Sequence, residues 1–242
     1  MSRPIGYYVH HHGDGHRQRA IAIGQSLGGI TLLGTGLTGK TGNLPFLDLP
    51  DDRLNEGFAG IDHAERPSSL HYAPLDHEGI RQRTAMMALW IAQSRPSLMV
   101  VDVSAEVAML ARLASVPTIY VRLSGTRLDT AHLDAFRGAT ALLAPFHEAL
   151  DDDDIPTWVR EKTFYAPGII RPASISQNGR DGDILIVLGR GGGISDGERW
   201  AEVARSTPER QFRIIGPCTV PSSLPDNLEL RGWVDDADAQ IA

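Results

Sequence analysis

The residues best suited to chemistry in this sequence follow apolar runs. His12-Gly13-Asp14-Gly15-His16-Arg17 comes directly after the run Ile5 to Val9 and before a helical pattern. Glycines in a strand-to-helix turn let backbone N–H groups approach a ligand, and the helix start that follows favours negative charge. Imidazole titrates near neutral pH, so His16, placed right after the second glycine, can take a proton from a hydroxyl. Asp102 ends a second apolar run, Leu98 to Val101, where an Asp can also serve simply as the N-cap of the next helix. Gly189-Arg190-Gly191-Gly192-Gly193 follows a third run, Ile184 to Leu188, and combines exposed amides with a guanidinium suited to phosphate. Gly232-Trp233-Val234 follows Leu228 to Leu230, and a lone Trp there also reads as a core residue. The clustered His10, His11, His12, Asp14 and His16 invite a metal reading. On a strand only His10 and His12 share a face, and nothing completes a ligand set, so no metal is expected there.

The elements needed to hold these residues alternate in the order of a parallel α/β sheet. Strands are expected at 5–9, 30–33, 46–49, 98–101, 118–121, 141–143 and 164–166, with helices at 17–27, 80–93, 106–114 and 130–136. Residues 34–75 are otherwise expected to be loops. Asp151 to Asp154, four acids in a row, reads as a solvated loop. The pattern restarts after a stretch rich in Pro, Ser, Asn and Gly. Strands at 184–188, 212–215 and 228–230 follow, with a helix to about Ser206 capped by Ser195 or Asp196, and a further helix from Asp236. The implied domains are 1–170, a linker at 171–183, and 184–242. Three strands alone would leave a raw sheet edge, so the second domain is expected to be incomplete.

With 242 residues and 42% hydrophobic content, the chain lies in the ordinary globular range. A formal charge of −7 argues against a nucleic-acid footprint. Cys218 is the single cysteine, so neither an intramolecular disulfide nor a thiolate zinc site can form, and a reducing cytoplasm fits. Met1 to His12 has one Arg and no apolar core and is not expected to act as a signal peptide. No apolar run is long enough to span a membrane, and no basic amphipathic stretch argues for contact with one, which leaves only peripheral contact open.

Gly13-x-Gly15-His16-x-x-Arg19-Ala20 after a first strand resembles the N-terminal motif of GT-B glycosyltransferases, including family 28 enzymes. The same loop occurs in a GT-B-fold nucleotide-sugar hydrolase of nonulosonic acid synthesis. The resemblance implies two Rossmann-like domains, the second incomplete here, with Gly13, Asp14 and Gly15 in a loop beside the reacting centre. It implies His16 as general base and Asp102 as the carboxylate that hydrogen-bonds it. It assigns Gly189 to Gly193 to the nucleotide diphosphate and Trp233-Val234 to the nucleotide base. Family members continue into a further Gly-rich loop and an acidic residue, which this sequence does not reach.

The expected activity is inverting transfer of a sugar from a UDP- or dTDP-sugar to a carbohydrate, lipid-linked or small-molecule acceptor. The nucleotide-sugar is a co-substrate, and no cofactor is expected. A nucleotide-sugar hydrolase with water as acceptor, and a non-catalytic binding fragment, are the competing readings. A dinucleotide dehydrogenase is disfavoured, since neither glycine loop shows G-x-G-x-x-G with a ribose-binding acid after a second strand.

Overall fold

The structure, a computed structural model, describes residues 3–62, 66–169, 183–189 and 193–234. The chain divides into two compact units. The first comprises Met1–His11 and Gly15–Arg171, and the second comprises His12–Asp14 and Pro172–Ala242. The linker expected at 171–183 lies, up to residue 182, outside the described residues, as does the helix expected from Asp236.

In the first unit, strands β1 (Ile5–Val9), β2 (Ile30–Gly34), β3 (Phe46–Asp48), β4 (Leu98–Asp102), β5 (Thr118–Val121), β6 (Ala141–Ala144) and β7 (Thr163–Tyr165) form one sheet, in the order β3-β2-β1-β4-β5-β6-β7. Every pairing is parallel. Parallel strands need crossovers, and helices α1 (Asp14–Leu27), α2 (Glu78–Ser94), α3 (Ala105–Leu113) and α4 (Thr130–Gly138) supply four of the six. The chain steps from β1 to β2 on one side and later returns to place β4 on the other. The carboxyl ends of β1 and β4 therefore meet at a topological switch point, the place where open α/β sheets bind ligands.

Side-chain alternation divides the core between the two faces of this sheet. Tyr7, Val9, Leu32 and Val100 pack with Ala20 and Ile21 of α1. Tyr8, Leu33, Met99 and Val101 pack with Met87 and Ile91 of α2 and with the small inner residues of α3 and α4. Because Val100 lies on the α1 face, Asp102, two residues on, points the same way.

Several boundaries differ from expectation. Helix α1 begins at Asp14, not Arg17, because Gly13 takes φ 78° and reverses the chain in one residue; the Asp14 carboxylate then sits in the first turn, where the helix field favours it. Asp14 and Gly15 are thus helical and not loop residues. Leu89, read as part of the apolar face of α2, is 58% exposed, whereas Arg83 on that helix is buried. A short helix α5 (Thr157–Lys162), absent from the sequence reading, leads into β7.

The acidic run is not uniformly solvated either. The Asp151 side chain is fully buried against Arg122, with Nη1···Oδ1 and Nη2···Oδ2 at 2.9 and 2.5 Å. Tyr165 donates to the same carboxylate at 2.6 Å, and the guanidinium carbon lies over the Phe146 and Tyr165 rings, 5.4 and 5.5 Å from their centroids. The β5–β6–β7 register explains this, since it brings residues 122, 151 and 165 to one end of the sheet.

In the second unit, β8 (Asp183–Val187), β9 (Gln211–Ile215) and β10 (Leu228–Leu230) form a parallel sheet in the order β10-β9-β8. Helix α6 (Gly197–Ser206) is capped by Asp196, whose carboxylate accepts the Glu198 N–H at 3.0 Å. Ser195, the other expected cap, instead accepts the Trp200 indole N–H at 2.9 Å. Ala201 and Ala204 of α6 pack on Phe212, Ile214 and Leu228. After β9, Gly216 takes φ 109°, and a Cβ there would lie 2.2 Å from the Leu188 carbonyl oxygen, so only glycine fits. Among the described residues of both units, no helix is long and apolar enough to cross a membrane.

The Arg122–Asp151 pair generates a stability prediction. Hydrogen bonds from Arg122, together with that from Tyr165, hold the Asp151 carboxyl below its usual range despite burial. A depressed native pKa contributes stability above the unfolded value of about 4, and this is lost as pH falls through the native value. Asp151→Ala is expected to cost about 3–5 kcal/mol in urea denaturation at pH 7, because it strands a buried guanidinium. The difference from the parent protein should shrink as pH drops below about 4. Asp153→Asn, at an exposed site in the same run, should stay within about 0.5 kcal/mol of the parent.

Candidate functional site

At the switch point of the first sheet, Asp102 closes β4 with no exposed surface. Val103 follows in the left-handed region at φ 58°, a conformation costly for a β-branched residue. That turn releases the chain from the sheet and lets Ser104 begin α3, its hydroxyl accepting the Val107 N–H at 3.3 Å. The helix cap is therefore Ser104. Asp102 is not used as a cap, and its carboxylate is committed elsewhere.

Three side chains converge on Asp102 from β1 and α1. Nδ1 of His16 lies 2.9 Å from Oδ1. Arg19 donates from Nη2 to Oδ1 at 3.0 Å and to Oδ2 at 2.9 Å, and from Nε to Oδ2 at 3.2 Å. Tyr7 donates its hydroxyl proton to Oδ2 at 3.3 Å. His16 and Arg19 are three residues apart on α1, so they share a helix face. The Arg19 Nη2 also lies 3.1 Å from the imidazole Nδ1.

The Asp102 charge acts on both Arg19 and Tyr7. Burial works against the Arg19 charge, but attraction to Asp102 outweighs it and raises the guanidinium pKa above its ordinary value. Burial, reinforced by the Asp102 charge, pushes the Tyr7 hydroxyl upward, so it stays a neutral donor. An ionised carboxylate can only accept. A neutral His16 that donates to this carboxylate carries its proton on Nδ1 and leaves Nε2 as the nitrogen with a free lone pair. The arrangement sets an imidazole against a buried carboxylate, a layout that can stabilise an imidazolium.

The surrounding histidines extend this layer. The His10 ring stacks on His11 at 4.9 Å between centroids and lies 5.5 Å from His16. On the opposite sheet face, His11 Nδ1 lies 3.2 Å from Asp52, which also pairs with the buried Arg83. Arg83 in turn donates to the Tyr8 hydroxyl at 2.8 Å. Burial lowers the His11 pKa despite the carboxylate beside it.

The remaining sequence-predicted residues lie in the second unit. Gly189 and Gly193 flank the loop after β8; Arg190, Gly191 and Gly192 lie outside the described residues. A Cβ at Gly189 or Gly193 would meet nothing within 4 Å, so packing does not demand glycine at either position. Gly232, Trp233 and Val234 follow β10 at the same carboxyl edge of the small sheet. Trp233 is 54% exposed, which removes it from the core.

No protein-family model and no curated protein matches the sequence. Solved structures do. A UDP-glucosyltransferase from Polygonum tinctorium, capable of glucosylating indoxyl, superposes with a TM-score of 0.62 at 13% identity, over 98% of this chain and 73% of that one. UGT89C1 of Arabidopsis thaliana, complexed with UDP, gives 0.60 at 11% identity, over 98% and 72%. The spinosyn rhamnosyltransferase SpnG, complexed with thymidine diphosphate, gives 0.57 at 14% identity, over 97% and 72%.

The fold is GT-B. Both parallel sheets and their connecting helices belong to it, as the sequence leads one to expect. Within this GT-B chain, Arg19 and Tyr7 are the site residues to which the sequence reading assigned no role. Their signals were present: Arg19 stands one helical turn after His16, and Tyr7 alternates onto the same sheet face as Asp102.

The hydrogen-bond pattern predicts a tautomer. In nitrogen-15 NMR of the imidazoles near neutral pH, neutral His16 should appear as the Nδ1–H form. Asp102→Asn should weaken that preference. It should also destabilise the protein by about 3 kcal/mol, because Arg19 loses its anionic partner in a mostly buried position.

Proposed function

We propose that this chain belongs to a glycosyltransferase that moves a sugar from a nucleotide-sugar to an acceptor hydroxyl with inversion at the anomeric carbon. The observation that carries the reading is the 2.9 Å contact between His16 and the buried Asp102 at the switch point of a GT-B sheet. In this reading Nε2 of His16 takes the acceptor proton as the acceptor oxygen bonds to the anomeric carbon. The bond from that carbon to the diphosphate oxygen breaks on the opposite side, and the nucleoside diphosphate leaves with the electron pair.

Asp102 holds the tautomer and then stabilises the imidazolium. Arg19, hydrogen-bonded to both Asp102 oxygens, holds the carboxylate in place behind the imidazole. Acceptor activation is assigned to the first unit and donor binding to the second. There the loop Gly189 to Gly193 is proposed to face the diphosphate, and Trp233-Val234 the base. The UDP and thymidine diphosphate bound to solved structures of the same fold support a uridine or thymidine nucleotide as carrier.

With UDP- and dTDP-sugars and a panel of hydroxyl acceptors, acceptor-dependent release of nucleoside diphosphate is the expected result. His16→Ala should lower kcat by about 10²–10⁴-fold with little change in the KM for donor, since general-base catalysis is worth that much. A loss under tenfold would overturn the base assignment. Free sugar released at the same rate without acceptor would instead identify a hydrolase. Nucleotide binding with no turnover on any acceptor would identify a binding module.

A further inference from the structure

A second group of imidazoles is built into the first unit, separate from His16. His71 lies in the loop before α2, Asp129 is the N-cap of α4, and His132 is in the first turn of that helix. The His71 and His132 rings meet edge to face, 4.5 Å between centroids. The Asp129 carboxylate lies 2.7 Å from Nδ1 of His132. One donor atom from each of the three residues lies within 4.8 Å of the other two.

The positions are held from several sides. Asp129 accepts the backbone N–H of His132 at 3.2 Å, which fixes the carboxylate over the helix start. His132 is buried, with Phe136 one turn on behind its ring at 6.2 Å. His71 is exposed, but its loop is tied to α3, because Glu106 accepts the backbone N–H groups of His71 and Tyr72 at 2.5 and 2.8 Å. Asp102 ends β4 and Asp129 lies in the connection leaving the neighbouring β5, so this cluster and the His16 site stand on the same carboxyl edge.

We propose that His71, Asp129 and His132 bind a divalent transition ion of the zinc class. Two imidazoles and one carboxylate form the donor set of open zinc sites, which keep a coordination position for water or substrate. The absence of thiolates disfavours a soft-metal cage, and the two nitrogens disfavour calcium and magnesium, which take oxygen donors. Tetrahedral ligands at zinc bond lengths stand about 3.3 Å apart. His71, the exposed member on a tied loop, closes the difference by rotating its side chain, and the 2.7 Å Asp129–His132 hydrogen bond opens to ligand spacing as the ion displaces the shared proton. This site runs against the sequence-based expectation of no metal. His71 and His132 are 61 positions apart in sequence, and only the fold joins them.

The test uses the full 242-residue chain, stripped with EDTA and titrated with zinc by calorimetry and with cobalt by visible absorption. One equivalent should bind, with the absorption bands of tetrahedral or five-coordinate cobalt. His71→Ala should weaken binding at least about tenfold, the least expected for a ligand when outer-shell changes cost 10–100-fold. Asp129→Asn retains a helix cap and should also weaken binding, so it decides the matter if His71→Ala misfolds. A His10→Ala, His12→Ala double variant should bind as the parent does. Failure of both ions to bind, unchanged affinity in Asp129→Asn and His71→Ala, or loss of binding only in the His10/His12 variant would each overturn the proposal. The readout is metal binding alone, so it is independent of glycosyl transfer.

Discussion

Asp102 is a carboxylate with no solvent contact, and an isolated anion in that position would cost several kcal/mol. The cost is offset by Arg19 and Tyr7, and the need to bring them there constrains the first unit around it. Helix α1 must start early enough, through the turn at Gly13, for His16 and Arg19 to stand one above the other. Strand β1 must pair with β4 in a register that sets Tyr7 beside Val100 and so beneath Asp102. The left-handed Val103 must end the strand at that point. His16 occupies the last side of the carboxylate. Its orientation is therefore a consequence of the same ion pair that makes the buried anion tolerable.

Two other buried charge groups show the same logic. Arg122 with Asp151 closes one end of the sheet, and Arg83 with Asp52 and Tyr8 closes the face opposite α1. In each, an Arg guanidinium meets a carboxylate and a tyrosine hydroxyl joins the group. These groups stand near the carboxyl ends of strands, where the chain leaves the sheet and apolar packing is thinnest. They fix loop positions that an apolar core would leave free. This matters for a fold whose chemistry is carried by those loops.

The proposed chemistry and the proposed metal site share an edge but differ in construction. The His16 site is built on a fully buried carboxylate with an ionic partner. The His71–Asp129–His132 group has one buried imidazole, one capping carboxylate and one exposed imidazole, an arrangement that can tighten around a ligand. In the second unit, Gly189 and Trp233 follow strands at the carboxyl edge of the small sheet, and Trp233 stands exposed.

Much of this was legible in the sequence because it depends on local pattern. Continuous apolar runs marked the buried parallel strands, and Gly13 to His16 marked the first turn of an α/β site. Asp102 at a strand end already carried two readings, helix cap or partner of His16. What the sequence could not decide were the choices that depend on neighbours distant along the chain. Ser104 takes the cap, which frees Asp102. Arg19 reaches across 83 residues to neutralise it. Asp151 is buried while Asp153, two residues on, is exposed, and Trp233 stays out of the core. Periodicity records which face a residue occupies. Whether a charge on that face is buried and paired is set by strand order and register, which only the tertiary structure supplies.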